Sequence, residues 1–468
     1  MFKFQGDRNS LLKDLATRVS QVWSGFDQAR ESEPEISQAT LDVLAADLPR
    51  TGRGETEALS QAVDILDQSL AQSRPRFFAY IGSSGLEMGA VADFLASSYD
   101  INLAVDSKAA TLLERQAAKW IGQFIGYHQN AKGLFTSGGT ISNITALAAA
   151  RTRKFPNSRR DGVTVPVAIY CSAEAHYSNI RGVELLGFGS SAVRSIPIDA
   201  DRRMDVAAFE AAILEDIANG VVPLAVIASS GTTLTGAIDP LDEIADVCER
   251  HGIWMHIDGA YGAPAAGTAK ARARFRGIER ADSITIDAHK WLFVPKACSI
   301  VLMKSYEPLV RTFSHNEAYM PHDSDEPNAV DITLEYSRPV RALKMWMGFA
   351  THGADEFERA ITENIELAEY TYDKAKTAED FKVLPNRPQL SIVPIQFVPA
   401  GVSDVSGLNR RIYEEILEDG RIYLSPATID GQIWLRPCYT NFRTQVSDVD
   451  AMCEVIRELG SRVVKDFS

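Results

Sequence analysis

The strongest constraint on this chain is a repeated change of period. From about residue 110, short β-rich runs, most of them apolar, alternate with longer stretches of helical spacing. The runs are VPVAIYC, AVRSIPI, PLAVIAS, IWMHID, DSITID and CSIVLM. Between them lie RMDVAAFEAAILEDIANG, punctuated at Asn219-Gly220, and PLDEIADVCERHG, punctuated at Gly252. Strands that are apolar throughout cannot leave one face in water, so helices must cover both faces. An α/β fold with a mainly parallel central sheet is therefore expected. Ligands of such sheets collect at the carboxyl ends of the strands. Polar residues at those ends are the candidates for chemistry.

The flanks differ. Residues 1–72 hold amphipathic stretches such as SLLKDLATRVSQVW, EISQATLDVLAADL and ETEALSQAVDILDQSL. Their apolar faces need cover, so they are expected to pack on another domain or subunit. Residues 73–345 carry the alternating pattern. Residues 346–468 read as a smaller α+β domain, with a helical stretch from Ala350 to about Ala375 and then LSIVPIQFV and GQIWLRPCY.

The formal net charge of −14 argues against nucleic acid or an anionic membrane as the main partner. The five cysteines are far apart and form no CxxC pair, so a disulfide framework or zinc site is not expected. No run reaches the ~18 apolar residues of a membrane helix, and the start has no signal-like apolar region. A soluble, cytoplasmic protein is expected.

Three motifs fall at the selected ends. In GLFTSGGTISNITALAAAR, Gly138, Gly139 and Thr140 precede a helix, where free N–H groups and open backbone suit a phosphate. A plain capped turn would read the same way. In IWMHIDGAYGAP, Asp258 ends a buried strand, where it could cap the next segment or hold a proton on a ligand ring nitrogen. In SITIDAHKWLF, Lys290 ends the next predicted strand among apolar residues. A lone lysine there would usually snorkel to solvent. One in an apolar pocket has a lowered pKa and forms Schiff bases readily. Phosphate site, ring-nitrogen carboxylate and Schiff-base lysine together describe pyridoxal phosphate. No HExxH spacing supports a zinc hydrolase, and no GxSxG elbow supports a serine hydrolase.

The segments TSGGTISN, AHYSNIRGVELLG, SSGTTLTGAIDPLDEI, WMHIDGAYG, DAHKWL and RALKMWMGFATHG make the chain resemble the group II pyridoxal-phosphate-dependent amino-acid decarboxylases, of fold type I. That family includes the aromatic-amino-acid and glutamate decarboxylases. The resemblance implies pyridoxal 5′-phosphate as cofactor, an amino-acid substrate and a homodimer. It implies that Lys290 binds the cofactor covalently and Asp258 contacts its ring nitrogen. Gly138, Gly139, Thr140 and His289 match phosphate-contacting positions. His176 matches the histidine stacked on the ring, with a share alongside Tyr319 in protonating the substrate carbon, and Thr233 and Ala260 lie near it. Arg436 matches an arginine that binds the substrate carboxylate. Tyr319, 29 residues after Lys290 in a polar stretch, matches the tyrosine that protonates the substrate carbon, usually across a dimer interface.

Two departures stand out. Asp287 occupies a position where Asn is usual. FFAYIGSS and YDINLAVDSK match the substrate-pocket segments of the aromatic enzymes, so Tyr80, Ile81 and Asn102 are candidate substrate contacts. Yet Ile81, Gly82 and Asn102 replace ring-packing residues such as Phe and Pro, implying a wider or more polar pocket. Decarboxylation of an aromatic L-amino acid is the expected function. Acidic or aliphatic substrates, aldehyde formation or transamination on the same scaffold, and a non-catalytic phosphate- or nucleotide-binding protein are the alternatives.

Overall fold

The computed structural model describes residues 6–129, 131–315 and 326–467. Seven strands form the main sheet: β1 (Lys132–Thr136), β2 (Val167–Ser172), β3 (Val193–Ile196), β4 (Val222–Ser229), β5 (Trp254–Asp258), β6 (Ser283–Ile286) and β7 (Ser299–Met303), in the order β1-β7-β6-β5-β4-β2-β3. From β6 through β5, β4 and β2 to β3 the pairing is parallel. β7 runs antiparallel to both β6 and β1. No α-helix separates β6 from β7, and neighbouring strands joined without a crossover pair antiparallel. The segment that makes this return is residues 287–298, which includes Lys290.

Both faces of the sheet are covered, as the apolar strands require. Side chains alternate between two cores: Phe135, Val226 and Ile257 join one, and Leu134, Ala225 and Ile227 the other. Two helices that follow strand ends matter most for the site. α6 (Gly139–Lys154) follows β1 and is buried on almost every side, including Ser142 and Asn143. α8 (Tyr177–Leu185) follows β2 and is capped by His176. The predicted punctuation is present: Gly220 has φ 72°, and α10 (Leu241–His251) ends on Gly252 at φ 61°.

A second, antiparallel sheet in the carboxy-terminal part has the order β10-β11-β9-β8, with β10 (Ser425–Ile429), β11 (Gln432–Arg436), β9 (Ile395–Phe397) and β8 (Phe381–Val383). Its core is Ile395, Leu435, Ile412 and Ile456 with their neighbours. The long helix expected from Ala350 begins earlier. α12 spans Ala342–Thr377 and breaks at Gly353, where φ is 73° and ψ 163°. Its first turns are held by aromatic packing, with Trp346 stacked 6.1 Å from Trp120. The sequence pattern missed this start because Trp346 and Phe349 pack on α5 (Ala109–Phe124) rather than continuing one apolar stripe.

The amino-terminal helices α1 (Arg8–Phe26), α2 (Gln38–Ala45) and α3 (Glu55–Asp67) bury only Thr40 among their residues. Arginines tie this segment down: Arg74 donates to the carbonyls of Gly25 and Gln28, and Arg443 pairs with Asp27 at 3.0 Å. Leu44 and Leu66 remain 60% and 68% exposed.

Candidate active site

A cavity of about 320 Å³ opens where β4, β5 and β6 end and α6 begins. Its floor is the α6 start. Gly138 is extended, with φ 173°, and no side chain caps the helix. Gly139 is required by close approach: a Cβ there would lie 2.9 Å from Asp287 Oδ2. Gly138, Gly139 and Thr140 all line the cavity, and the helix start offers N–H groups and a partial positive charge.

Asp258 ends β5 as expected and is 9% exposed. Oδ2 accepts from Asn143 Nδ2 and Asn179 Nδ2, each at 3.1 Å, and Oδ1 accepts from the Ala260 N–H at 3.3 Å. A buried carboxylate needs such donors.

Lys290 differs from expectation in two ways. It does not end a strand: β6 stops at Ile286, and Lys290 sits in the following turn, its N–H donating to the Asp287 carbonyl at 2.9 Å. Nor is its pKa lowered. Burial, the largest single influence, pushes it down. The Asp287 carboxylate, with Oδ2 2.8 Å from Nζ, and Asp258 beyond it together hold it above the ordinary value. Trp291, Leu292 and Phe293 pack away into the core, so the apolar neighbours set the turn while Asp287 sets the charge.

Asp287 is itself buried, and its Oδ1 has no hydrogen-bond partner. Burial pushes its pKa up, but Lys290 and then His289 bring it below the ordinary value. Its contribution to stability is therefore complete above the unfolded value of 3.8 and is lost as pH falls through the lower folded value. The carboxylate lies against Gly139, where a phosphate would be bound. Asp287→Asn removes that repulsion and frees the Lys290 amine. Titration of the apoenzyme is expected to show about tenfold tighter cofactor binding, 1.4 kcal/mol. Equal or weaker binding would overturn this reading of Asp287.

The remaining expected residues divide. His176 lines the cavity, and its Nδ1 accepts from the Ser178 N–H at 3.3 Å, which leaves Nε2 as the protonated nitrogen. Burial lowers its pKa. His289 lines the cavity and is pinned through Nδ1 to the Cys298 carbonyl at 2.7 Å. Thr233, Ala260 and Ile81 also line it. Arg436 stands just behind. Its guanidinium donates to the carbonyls of Thr233 at 3.1 Å and Tyr80 at 3.0 Å. It is 3% exposed and has no carboxylate partner among the described residues. Tyr80 has φ 56° and a side chain turned out to 56% exposure. Asn102 is exposed and lies outside the cavity. Its side-chain oxygen accepts from the N–H groups of Ala104 and Arg338, each at 3.0 Å, so it shapes a turn. Tyr319 lies outside the described residues.

These residues fit pyridoxal phosphate: an uncapped helix start for the phosphate, a buried carboxylate for the ring nitrogen, and an amine between them. Sequence reasoning missed Asn143, Asn179 and Ser178, which hold Asp258 and His176. The signal was there in the quoted motifs: Asn143 lies four residues past Gly139, hence on the same helix face.

A family model described as the pyridoxal-dependent decarboxylase conserved domain matches residues 38–397. An aromatic-L-amino-acid decarboxylase of Bacillus atrophaeus is 33% identical over 443 residues, covering 92% of this chain and 91% of the relative. An L-2,4-diaminobutyrate decarboxylase of Rhizobium meliloti (strain 1021) is 33% identical over 463 residues, covering 97% and 92%. The crystal structure of mouse CSAD superposes with a TM-score of 0.88 at 27% identity, covering 97% of this chain and 98% of that one.

Proposed function

Because the chain belongs to the pyridoxal-dependent decarboxylase family, we propose that this pyridoxal-phosphate-dependent amino-acid decarboxylase converts an aromatic L-amino acid to the matching amine and CO₂. The observation that carries the assignment of roles is the convergence of Lys290, Asp258 and the α6 start on one cavity. The Bacillus relative supports the aromatic side chain.

Bound pyridoxal phosphate supplies the sink for the electron pair that departing CO₂ leaves on Cα. The α6 start and His289 would hold its phosphate. Asp258 would hold a proton at the ring nitrogen, and His176 would lie against the ring. Lys290 would supply the amine that holds the cofactor. Arg436, a buried cation without an anionic partner among the described residues, suits the substrate carboxylate. Tyr319 delivers the proton to Cα. Tyr319→Phe is expected to cut amine formation by about 10²-fold, the range of a lost general acid, and, in air, to divert product toward aldehyde, ammonia and hydrogen peroxide, with dissolved O₂ as the two-electron oxidant. An unchanged amine yield would remove Tyr319 from the mechanism.

One observation favours a second reading. Lys296 lines the cavity, its side chain bonded to Gln72, and an ammonium there suits an acidic side chain. CO₂ release should be compared for phenylalanine, tyrosine, tryptophan, aspartate, glutamate, cysteine sulfinate and 2,4-diaminobutyrate. The aromatic reading requires the largest kcat/KM on an aromatic substrate.

We further propose a homodimer that covers α1, α2 and α3, on the grounds of their exposed leucines. No helix among the described residues is long and apolar enough to cross a membrane.

A further inference from the structure

Behind Asp258 runs a buried chain of hydrogen bonds whose direction is fixed by its chemistry. Asn143 Nδ2 donates to Asp258 Oδ2 at 3.1 Å and to Asn179 Oδ1 at 2.9 Å, which uses both of its protons. Asn143 Oδ1 is therefore an acceptor, and the contact at 3.0 Å makes His256 Nε2 its donor. His256 is fully buried, which pushes its pKa down to about 4, with Asp258 the charged group opposing that shift. A neutral ring protonated at Nε2 has Nδ1 as acceptor, so the Ser283 hydroxyl, 2.8 Å away, donates to it. Ser283 Oγ in turn accepts from the indole N–H of Trp254 at 2.9 Å. Asn179 adds a second donor to Asp258 Oδ2 at 3.1 Å. Asn143, Asn179, His256 and Ser283 are each no more than 1% exposed.

Every proton in this chain points toward Asp258. Bonds aligned head to tail polarise one another, the more so where water is excluded. We propose that Trp254, Ser283, His256 and the two asparagines form a one-way relay that positions Asp258 and sets how firmly it holds a proton on the cofactor ring nitrogen. The two amide N–H groups both donate to Oδ2 and so fix the orientation in which the carboxylate meets the ring nitrogen. These are positioning residues: none of Trp254, Ser283 and His256 lines the cavity. The proposal rests on Asp258 facing the ring nitrogen, as assigned above.

The test uses the loaded enzyme with three readouts: the pH midpoint of the bound cofactor's visible absorption, the cofactor dissociation constant, and kcat with KM. Ser283→Ala and His256→Leu are expected to lower kcat about tenfold, the usual cost of losing an orienting partner, with KM within about twofold. The absorption midpoint is expected to move by about half a pH unit, and cofactor binding to weaken. His256→Gln presents an amide N–H where Nε2 stood and is expected to restore most of each property. If His256→Leu fails to fold, Ser283→Ala, which deletes one oxygen, carries the test. The relay is overturned if Ser283→Ala leaves midpoint, affinity and kcat unchanged, or if Gln and Leu at 256 are equally impaired. Asp258→Asn separates the two levels. A midpoint unmoved by Asp258→Asn removes the ring-nitrogen assignment itself. A midpoint moved by Asp258→Asn but not by the relay variants removes the relay alone.

Discussion

Lys290→Ala is expected to reduce CO₂ release by at least about 10⁴-fold, the upper range for a positioned catalytic group. Cofactor should no longer be trapped on the protein by borohydride. The amine has two roles to separate: in the proposed mechanism it is the nucleophile, and in the structure it is the counter-ion of Asp287, at 2.8 Å. Removing it leaves a buried carboxylate whose Oδ1 already lacks a partner. A fully buried pair broken in this way costs ~3–5 kcal/mol. The Lys290 side chain is 23% exposed, so about 2 kcal/mol is expected by discounting for solvent screening. The double variant Lys290→Ala/Asp287→Asn should recover that stability in denaturant unfolding and recover no activity. Activity within about tenfold of the parent in the single variant would refute the role of Lys290. Recovery of activity in the double variant would make the first loss a folding defect.

The second large effect is at Asp258. Asp258→Asn keeps the shape and removes the charge. Its amide can turn its oxygen toward the two asparagine donors, so the local fold should survive. The ring nitrogen then faces no anion, and the proton it needs is no longer held. Removing one fixed electrostatic partner of a developing charge costs about 10²–10³-fold in kcat. The loss should fall on kcat with KM little changed, because the carboxylate acts after substrate is bound. A fall in kcat/KM carried entirely by KM would mean that Asp258 serves substrate binding instead.

The residues at strand and helix ends were readable in advance because period and punctuation fix where those ends fall. Gly138, Gly139, Thr140 and Asp258 stand where the strand and helix patterns put them, and the parallel pairing of β6 through β3 accords with β-rich runs alternating with helical stretches that cover the sheet. For Lys290 the sequence predicts a lowered pKa, whereas the fold holds it raised. The apolar residues after it pack away from the amine, and its true neighbour is the carboxylate three positions earlier in the same turn. That neighbour departs from the family pattern in the sequence, but only the folded turn shows which group it meets. Asn102 was assigned to the substrate pocket by its motif, whereas an Asx turn claims its side chain. The relay was not legible at all, since Trp254 and His256 on β5, Ser283 on β6, Asn143 on α6 and Asn179 on α8 meet only in three dimensions.

The start of α6 has one more implication. Gly138 cannot cap the helix it precedes, and the helix is buried almost all round. A dianion bound there would therefore serve as part of the secondary structure, doing for this helix what an N-cap side chain does for others. Cofactor supply then enters the folding equilibrium by mass action, adding about 2.7 kcal/mol when free cofactor stands at a hundred times its dissociation constant. In a cell short of the vitamin, the amount of this protein, and not only its turnover, would follow the supply.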